Sequence, residues 1–206
     1  DNELILVSME KRVYKYHIMT FGCQMNKSDS ERLSFVLENM GLERVEEAES
    51  ADVIFLNTCS VRESAEARIY GKVHNFSKWK LQKPELIVGV IGCMPGRDKD
   101  GKIKKRLKDV DLFLPTKDMT RLPALLMELN PNLRSMENVE EDYLRLRPNY
   151  QRKFQNFIII QSGCNQFCTY CVVPYARGLE KNRPLKDILA EIKEVVKNGC
   201  LEITLL

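Results

Sequence analysis

The sequence predicts an α/β fold built on a parallel sheet, on the strength of three observations. Strand-like and helix-like segments alternate over residues 14–130. Two strand-like segments, "ADVIFLNT" (51–58) and "LIVGVIG" (86–92), are almost unbroken apolar runs, as expected of strands covered on both faces. Between the strands, apolar residues recur at the three- and four-residue spacing of helices. Such alternation places helices on both faces of a parallel sheet.

Taken in order, "YKYHIMTF" (14–21) reads as the first strand. "SDSERLSFVLENMG" (28–41) reads as a helix. Ser28 and Glu31 form a capping-box pattern, Leu33, Val36, Leu37 and Met40 share one face, and Gly41 stops it. The run at 51–58 is the second strand. A second helix is expected from Arg62, with Ser60 and Glu63 as another capping box. The run at 86–92 and the shorter "VDLFL" (110–114) are further strands. A helix over 121–129 carries Leu122, Leu125, Leu126 and Leu129 on one side and ends at Asn130-Pro131. No G-x-G-x-x-G occurs, so a dinucleotide site is not supported.

Residues 131–152 break the pattern. They contain two prolines and pass from an acidic run (137–142) to a basic one (Arg145, Arg147, Arg152, then Lys153). A linker is expected here. Its basic part reads either as a solvated segment or as a nucleic-acid contact. A new unit opens with the strand "FIIIQ" (157–161), followed by a cysteine-rich loop, the helix "PLKDILAEIKEVVKNG" (184–199) and the strand "LEITLL" (201–206). The expected organisation is a first α/β domain over 13–130, a linker over 131–152 and a second unit over 153–206.

Composition bounds the function. The chain has 206 residues, 44% hydrophobic and 30% charged, with a net charge of +3, which permits a nucleic-acid partner without demanding one. No apolar run approaches transmembrane length and no signal-peptide pattern opens the chain, so a cytoplasmic protein without a membrane partner is expected. Seven cysteines stand beside two histidines. The odd count and the missing secretory signal argue against a disulfide framework. His17 falls in a strand and His74 in a helix, neither beside a cysteine cluster, which argues against a mixed Cys/His zinc site.

Cys164, Cys168 and Cys171 lie in "CNQFCTYC", directly after a strand. This spacing lets three thiolates wrap a compact centre. A 4Fe–4S cluster takes one ligand per iron, so three cysteines leave one iron open for substrate or cofactor. A zinc site completed by Cys200 or another distant residue is the alternative. Cys23, Cys59 and Cys93 stand alone in sequence but share a context: "TFGC", "LNTC" and "VIGC" each end a predicted parallel strand. Ligands gather at the carboxyl ends of strands in open α/β sheets, so all three belong on one sheet edge. Cys23 and Cys59 also precede helix N-termini, where the dipole favours a thiolate. The alternative is that each is a small buried hydrophobe, as Cys200 is taken to be.

"CNQFCTYC" resembles the cluster loop of radical S-adenosylmethionine enzymes, and "VVPYARGLEKNRP" after it resembles the methylthiotransferase branch. "FGCQMNKSDSE", "NTCSVRESAE" and "IGCM" are similar to the three cysteine motifs of that branch's N-terminal domain. The resemblance covers residues 13–206. It implies an N-terminal parallel-sheet methylthiotransferase domain followed by the start of a radical-SAM partial β/α barrel. It implies two 4Fe–4S clusters. Cys164, Cys168 and Cys171 would hold the radical-forming one, which binds S-adenosylmethionine at its open iron. Cys23, Cys59 and Cys93 would hold an auxiliary one that carries the sulfur to be transferred. Tyr170 would lie against the cofactor's adenine.

The implied reaction is methylthio transfer to a prenylated adenosine beside a tRNA anticodon, with a reducing electron donor and a sulfur donor as partners. Relatives acting on a ribosomal protein or on another tRNA adenosine are the near alternative. An iron–sulfur binding or electron-transfer module is the alternative of another class, though electron carriers usually close their ligand shells. "MPGRDKDGKIKKRLKD" after Cys93 departs from the family's wording. The family pattern also leads to the expectation of further barrel strands and an RNA-binding domain beyond Leu206, and so of weak protection in 157–206 and no tRNA modification by the 206 residues alone.

Overall fold

In the computed structural model the described residues are 12–60, 63–134, 136, 140–152 and 154–206. A first sheet of five parallel strands has the order β2-β1-β3-β4-β5. Its strands are β1 (Lys15–Phe21), β2 (Glu43–Arg44), β3 (Val53–Thr58), β4 (Ile87–Gly92) and β5 (Leu112–Pro115). The connecting helices are α1 (Gln24–Asn39), α2 (Glu63–Gln82), the short α3 (Cys93–Arg97) and α4 (Lys102–Arg106), and then α5 (Leu122–Leu129).

The two apolar runs follow from the alternation of side chains along a strand. Val53 and Phe55 of β3, with Ile87 and Ile91 of β4, face α1 and α5, where Leu33, Val36, Leu37, Leu122 and Leu126 complete one core. Ile54 and Leu56, with Val88 and Val90, face α2, where Ile69, Val73 and Phe76 complete the other. Gly89 gives up its side chain to the first core, because a Cβ there would stand 2.3 Å from the Phe55 ring.

α1 begins earlier than its sequence pattern predicts. Cys23, not Ser28, is the N-cap, and Asn26 reciprocates, its Oδ1 accepting from the Cys23 backbone N–H at 3.3 Å. Ser28, Asp29, Glu31 and Arg32 are therefore interior helix residues, and all four are buried. The expected start of the second helix at Arg62 lies outside the described residues, and α2 is described from Glu63.

The second unit contains β6 (Gln155–Ile158), β7 (Gln161–Ser162), α6 (Val173–Arg177), β8 (Lys181–Asn182), α7 (Leu185–Lys197) and β9 (Glu202–Leu205). β6 and β9 pair in parallel across the α7 crossover, and Ile158, Ile188, Val195 and Cys200 are buried together beneath it. Cys200 is thus placed in packing, with its thiol donating to the Glu202 carbonyl at 3.1 Å. Within the stretch 131–152, Leu133, Tyr143, Leu144 and Leu146 are buried in the first core, as is Ile159 of the second unit. The two units share packing rather than hanging on a free tether.

Candidate functional site: two cysteine trios

Cys23, Cys59 and Cys93 follow three adjacent strands. The register pairs Phe21 with Thr58 and Thr58 with Gly92, so all three cysteines leave the sheet at the same carboxyl edge. Strand order was the missing term in the sequence, and it puts the three strands that end at these cysteines side by side. The ends are tied as well as adjacent. The Cys59 backbone N–H donates to the Phe21 carbonyl at 2.9 Å. Asn26 on α1 donates to Asn57 Oδ1 at 3.0 Å and to the Thr58 carbonyl at 3.1 Å, while Asn57 Nδ2 returns a bond to the Asn26 carbonyl at 2.7 Å. This reciprocal amide pair fixes the Cys23 turn against the Cys59 turn. Arg97 of α3 donates to Ser60 Oγ at 3.1 Å and pairs with Glu66 of α2, which fixes the Cys93 turn against the same point.

Glycine makes the close approaches possible. Gly92 has φ +111°, and a Cβ on it would meet the Thr58 carbonyl at 2.5 Å. A Cβ on Gly22 would lie 2.1 Å from Asn26 Oδ1. Cys59 and Cys93 are buried and Cys23 half-buried. Burial pushes the Cys93 thiol up from its ordinary range, against the opposing charge of Arg177.

Cys164, Cys168 and Cys171 occupy one loop whose base is closed by the antiparallel pair β7–β8, Gln161 opposite Asn182 and Ser162 opposite Lys181. Cys164 N–H donates to the Gly178 carbonyl at 3.1 Å, and Cys171 N–H to the Cys168 carbonyl at 2.9 Å. Gly163 (φ +77°) lets the two sides of the loop approach, since a Cβ there would meet the Leu179 carbonyl at 2.1 Å. Cys168 is exposed, as are Phe167, Tyr170, Tyr175 and Leu179 around it, and Tyr170 is 90% exposed. Apolar side chains turned outward beside three thiols form a surface suited to a bound cofactor.

Among the described residues no group of three or more His, Cys, Asp or Glu is drawn into the geometry of a single-ion site. A four-iron cluster spreads its ligands more widely than one ion does. The donor chemistry fits that group: each trio offers sulfur alone, and the two histidines are engaged elsewhere, His17 with the Val45 carbonyl and His74 on the exposed side of α2.

The two trios are neighbours. α3, which begins at Cys93, packs on α6, which begins two residues after Cys171. The approach is close enough that a Cβ on Gly96 would fall 1.9 Å from the Ala176 carbonyl. The last residue of α6, Arg177, reaches into the first unit and forms an ion pair with Asp29 of α1 at 2.6 Å, both side chains buried. Sequence reasoning missed Asp29, Arg177, Asn26 and Asn57. The available signal was that Asn26 and Asp29 fall on the same stripe of the helix as Leu33 and Val36, a covered face rather than a solvated one.

Two known families meet in this chain. Residues 15–115 match the model of "Uncharacterized protein family UPF0004", and residues 158–206 match that of the "Radical SAM superfamily". The matches describe a radical S-adenosylmethionine segment with a cysteine-bearing α/β domain ahead of its three-cysteine loop. The chain belongs to the radical S-adenosylmethionine methylthiotransferase family.

Curated relatives similar to this chain carry the name tRNA-2-methylthio-N(6)-dimethylallyladenosine synthase. The one from Shouchella clausii (strain KSM-K16) is 44% identical over 200 residues, 93% of this chain and 38% of the relative. That from Dictyoglomus thermophilum is 42% identical over 93% of this chain and 44% of the relative. That from Finegoldia magna is 37% identical over 98% of this chain and 45% of the relative. The chain thus spans less than half the length of these relatives. None of the described helices is long and apolar enough to cross a membrane.

Proposed function

We propose that this chain is the cluster-bearing part of a cytoplasmic tRNA methylthiotransferase that modifies a prenylated adenosine next to the anticodon. The observation that carries this reading is the junction of the two cysteine trios through α3 and α6. A reaction that generates a radical at one centre and draws sulfur from another needs both centres beside one substrate position.

In this reading Cys164, Cys168 and Cys171 hold one 4Fe–4S cluster and Cys23, Cys59 and Cys93 hold a second, with S-adenosylmethionine at the first. When bound, these groups supply one-electron cleavage of the cofactor and a transferable sulfur. The chain's own residues orient and exclude water. The β7–β8 pair and Gly163 hold the second trio's loop shut at its base. Tyr170 offers its ring to the cofactor's adenine. Asn26, Asn57 and Arg97 hold the first trio's three turns at one edge. The reaction further requires a reducing electron donor and a sulfur donor.

Iron analysis and Mössbauer spectra after anaerobic reconstitution test the two-cluster assignment. Roughly eight irons per chain are expected, and about four should remain when either trio is replaced by alanine. Near-total loss of iron from either triple variant would rule out separate sites. For the substrate, residues 13–206 are exchanged for the matching segment of the Shouchella clausii relative. The chimera should transfer label from methyl-labelled S-adenosylmethionine to prenylated tRNA. Transfer to a ribosomal protein instead would overturn the assignment of the substrate.

A further inference from the structure

Arg177 links α6, which follows the second trio, to α1, which follows Cys23, through charge. Its side chain is 7% exposed and that of its partner Asp29 is 1% exposed. Two bonds hold the pair, Nη2 to Oδ2 at 2.6 Å and Nη1 to Oδ1 at 3.4 Å, and the Tyr143 hydroxyl donates to the same Oδ1. Three segments of chain therefore converge on one carboxylate: α1, whose N-cap is Cys23, the 143–146 stretch, and α6, which leaves the second trio.

The Arg177 guanidinium also acts on the Cys93 thiol, by its charge and as a donor, favouring the ionised sulfur against its burial. Independently of that influence, the tight α3–α6 packing, Gly96 against the Ala176 carbonyl, places the helix that begins at Cys93 against the helix that ends at Arg177.

A buried ion pair is a poor way to glue two units, because desolvation offsets most of the attraction and well-packed apolar residues would serve as well. What the ion pair adds is a guanidinium held in a fixed place, a charged donor near the Cys93 sulfur. Hydrogen bonds to ligating sulfur and local charge are the principal means by which a protein sets the potential of an iron–sulfur centre.

We propose that Arg177 is a positioning residue for the first trio: Asp29 and Tyr143 aim its guanidinium at the Cys93 sulfur, where it donates a hydrogen bond and raises the potential of the centre held there. The residue that closes the second trio's segment thus tunes the first. The proposal rests on the assignment of a cluster to Cys23, Cys59 and Cys93.

The test uses the whole chain with Cys164, Cys168 and Cys171 replaced by alanine, so that only the first trio can hold iron. Iron content and the midpoint potential, followed by electron paramagnetic resonance during reductive titration, are read in parallel. Arg177→Gln should load iron like its parent and titrate at a lower potential, because a positive charge beside the reduced, more negative centre is gone. Arg177→Lys, which keeps the charge, should recover most of the shift. Asp29→Asn removes the opposing charge and should move the potential upward, which also serves if Arg177→Gln fails to load.

A merely structural role would not give shifts of opposite sign. Equal potentials in parent and Arg177→Gln, equal shifts in the Gln and Lys variants, or a downward shift in Asp29→Asn would each overturn the proposal while leaving the cluster assignment standing. An iron-free parent with intact Cys23, Cys59 and Cys93 would overturn both.

Discussion

Glu31 shows how far a single side chain can depart from its sequence reading. In the sequence it closes a capping-box pattern with Ser28 at a helix start. In the fold it is 6% exposed, and its Oε2 has no hydrogen-bond partner among the described residues. Burial pushes its carboxyl up from the ordinary 4.5 to about 7, against a bond from the Gln151 backbone and the charges of Arg32 and Arg152. The folded state therefore binds a proton more readily than the unfolded chain. Below pH 4.5 both states are protonated and the burial cost vanishes. Stability should fall as pH rises from about 4.5 to 7 and then level off, by about 3 kcal/mol in all. Glu31→Gln should lose that slope, measured as urea unfolding free energy at pH 5 and pH 8 in the metal-free chain. An unchanged slope would place the titration elsewhere.

Tyr170 is the opposite case, a ring exposed for want of anything within the chain to cover it. If it packs on adenine, Tyr170→Phe keeps the apolar face and should bind S-adenosylmethionine nearly as well as the parent, while Tyr170→Ala should bind several-fold more weakly, roughly 1 kcal/mol of lost contact. Equilibrium dialysis of the reconstituted protein reads this directly. A Phe variant as weak as the Ala variant would assign the contact to the hydroxyl.

Among the elements, legibility followed length and burial. β3 and β4 could be read because an all-apolar run of six or so residues between turn signals fits little but a strand covered on both faces. α5 could be read because four leucines fall on one stripe. β2, α3, α6 and β8 are two to five residues long. At that length no periodicity exists, and packing alone decides the conformation. α1 was misread at its start because a cysteine N-cap is not among the usual capping residues, whereas Ser28 and Glu31 happened to have the capping spacing.

The short elements matter most for the site, and glycine shows where. Gly96 on α3 faces the α6 backbone, and a Cβ there would overlap the Ala176 carbonyl. Gly71 on α2 has nothing within 4 Å of the corresponding point. Gly96→Ala should cost about 1–3 kcal/mol through forced separation of α3 from α6. Gly71→Ala should gain about 0.5–1 kcal/mol through helix propensity alone. Urea midpoints of the two variants should therefore move in opposite directions. Movement in the same direction would mean that the α3–α6 approach yields without cost.

At the scale of the molecule, the sequence suggests two units and a linker, and with them a poorly protected second unit. The packing argues for a different distribution of stability. Tyr143, Leu144 and Leu146 from the joining stretch and Ile159 from the second unit are buried in the same core as Leu33, Phe55 and Leu122. Arg32, with no exposed surface, bonds to Ser28 Oγ at 2.7 Å, lies over the Tyr143 ring and approaches Glu191 of α7. Asn149 N–H donates to the Glu31 carbonyl at 2.9 Å.

The apolar contacts were not readable in sequence because each joins residues far apart in the chain, and the polar ones because Arg32, Asn149 and Glu191 look surface-like until their distant partners cover them. They make the inner strand of the second unit part of the first unit's cooperative block. Hydrogen exchange should therefore give 155–160 an opening free energy close to that of 53–58, with the outer strand 202–205, which is preceded by the exposed Leu201 and ends in the exposed Leu205, opening more readily. Leu144→Ala, which removes a buried side chain from the shared core at a cost of about 2–5 kcal/mol, should lower the opening free energy of 53–58 and 155–160 together. If 155–160 exchanges as fast as 202–205 in the parent, or if Leu144→Ala loosens one block and leaves the other untouched, the two units fold independently. The Asp29–Arg177 pair would then join bodies free to separate, and the two cysteine trios would be held together only when something bound between them.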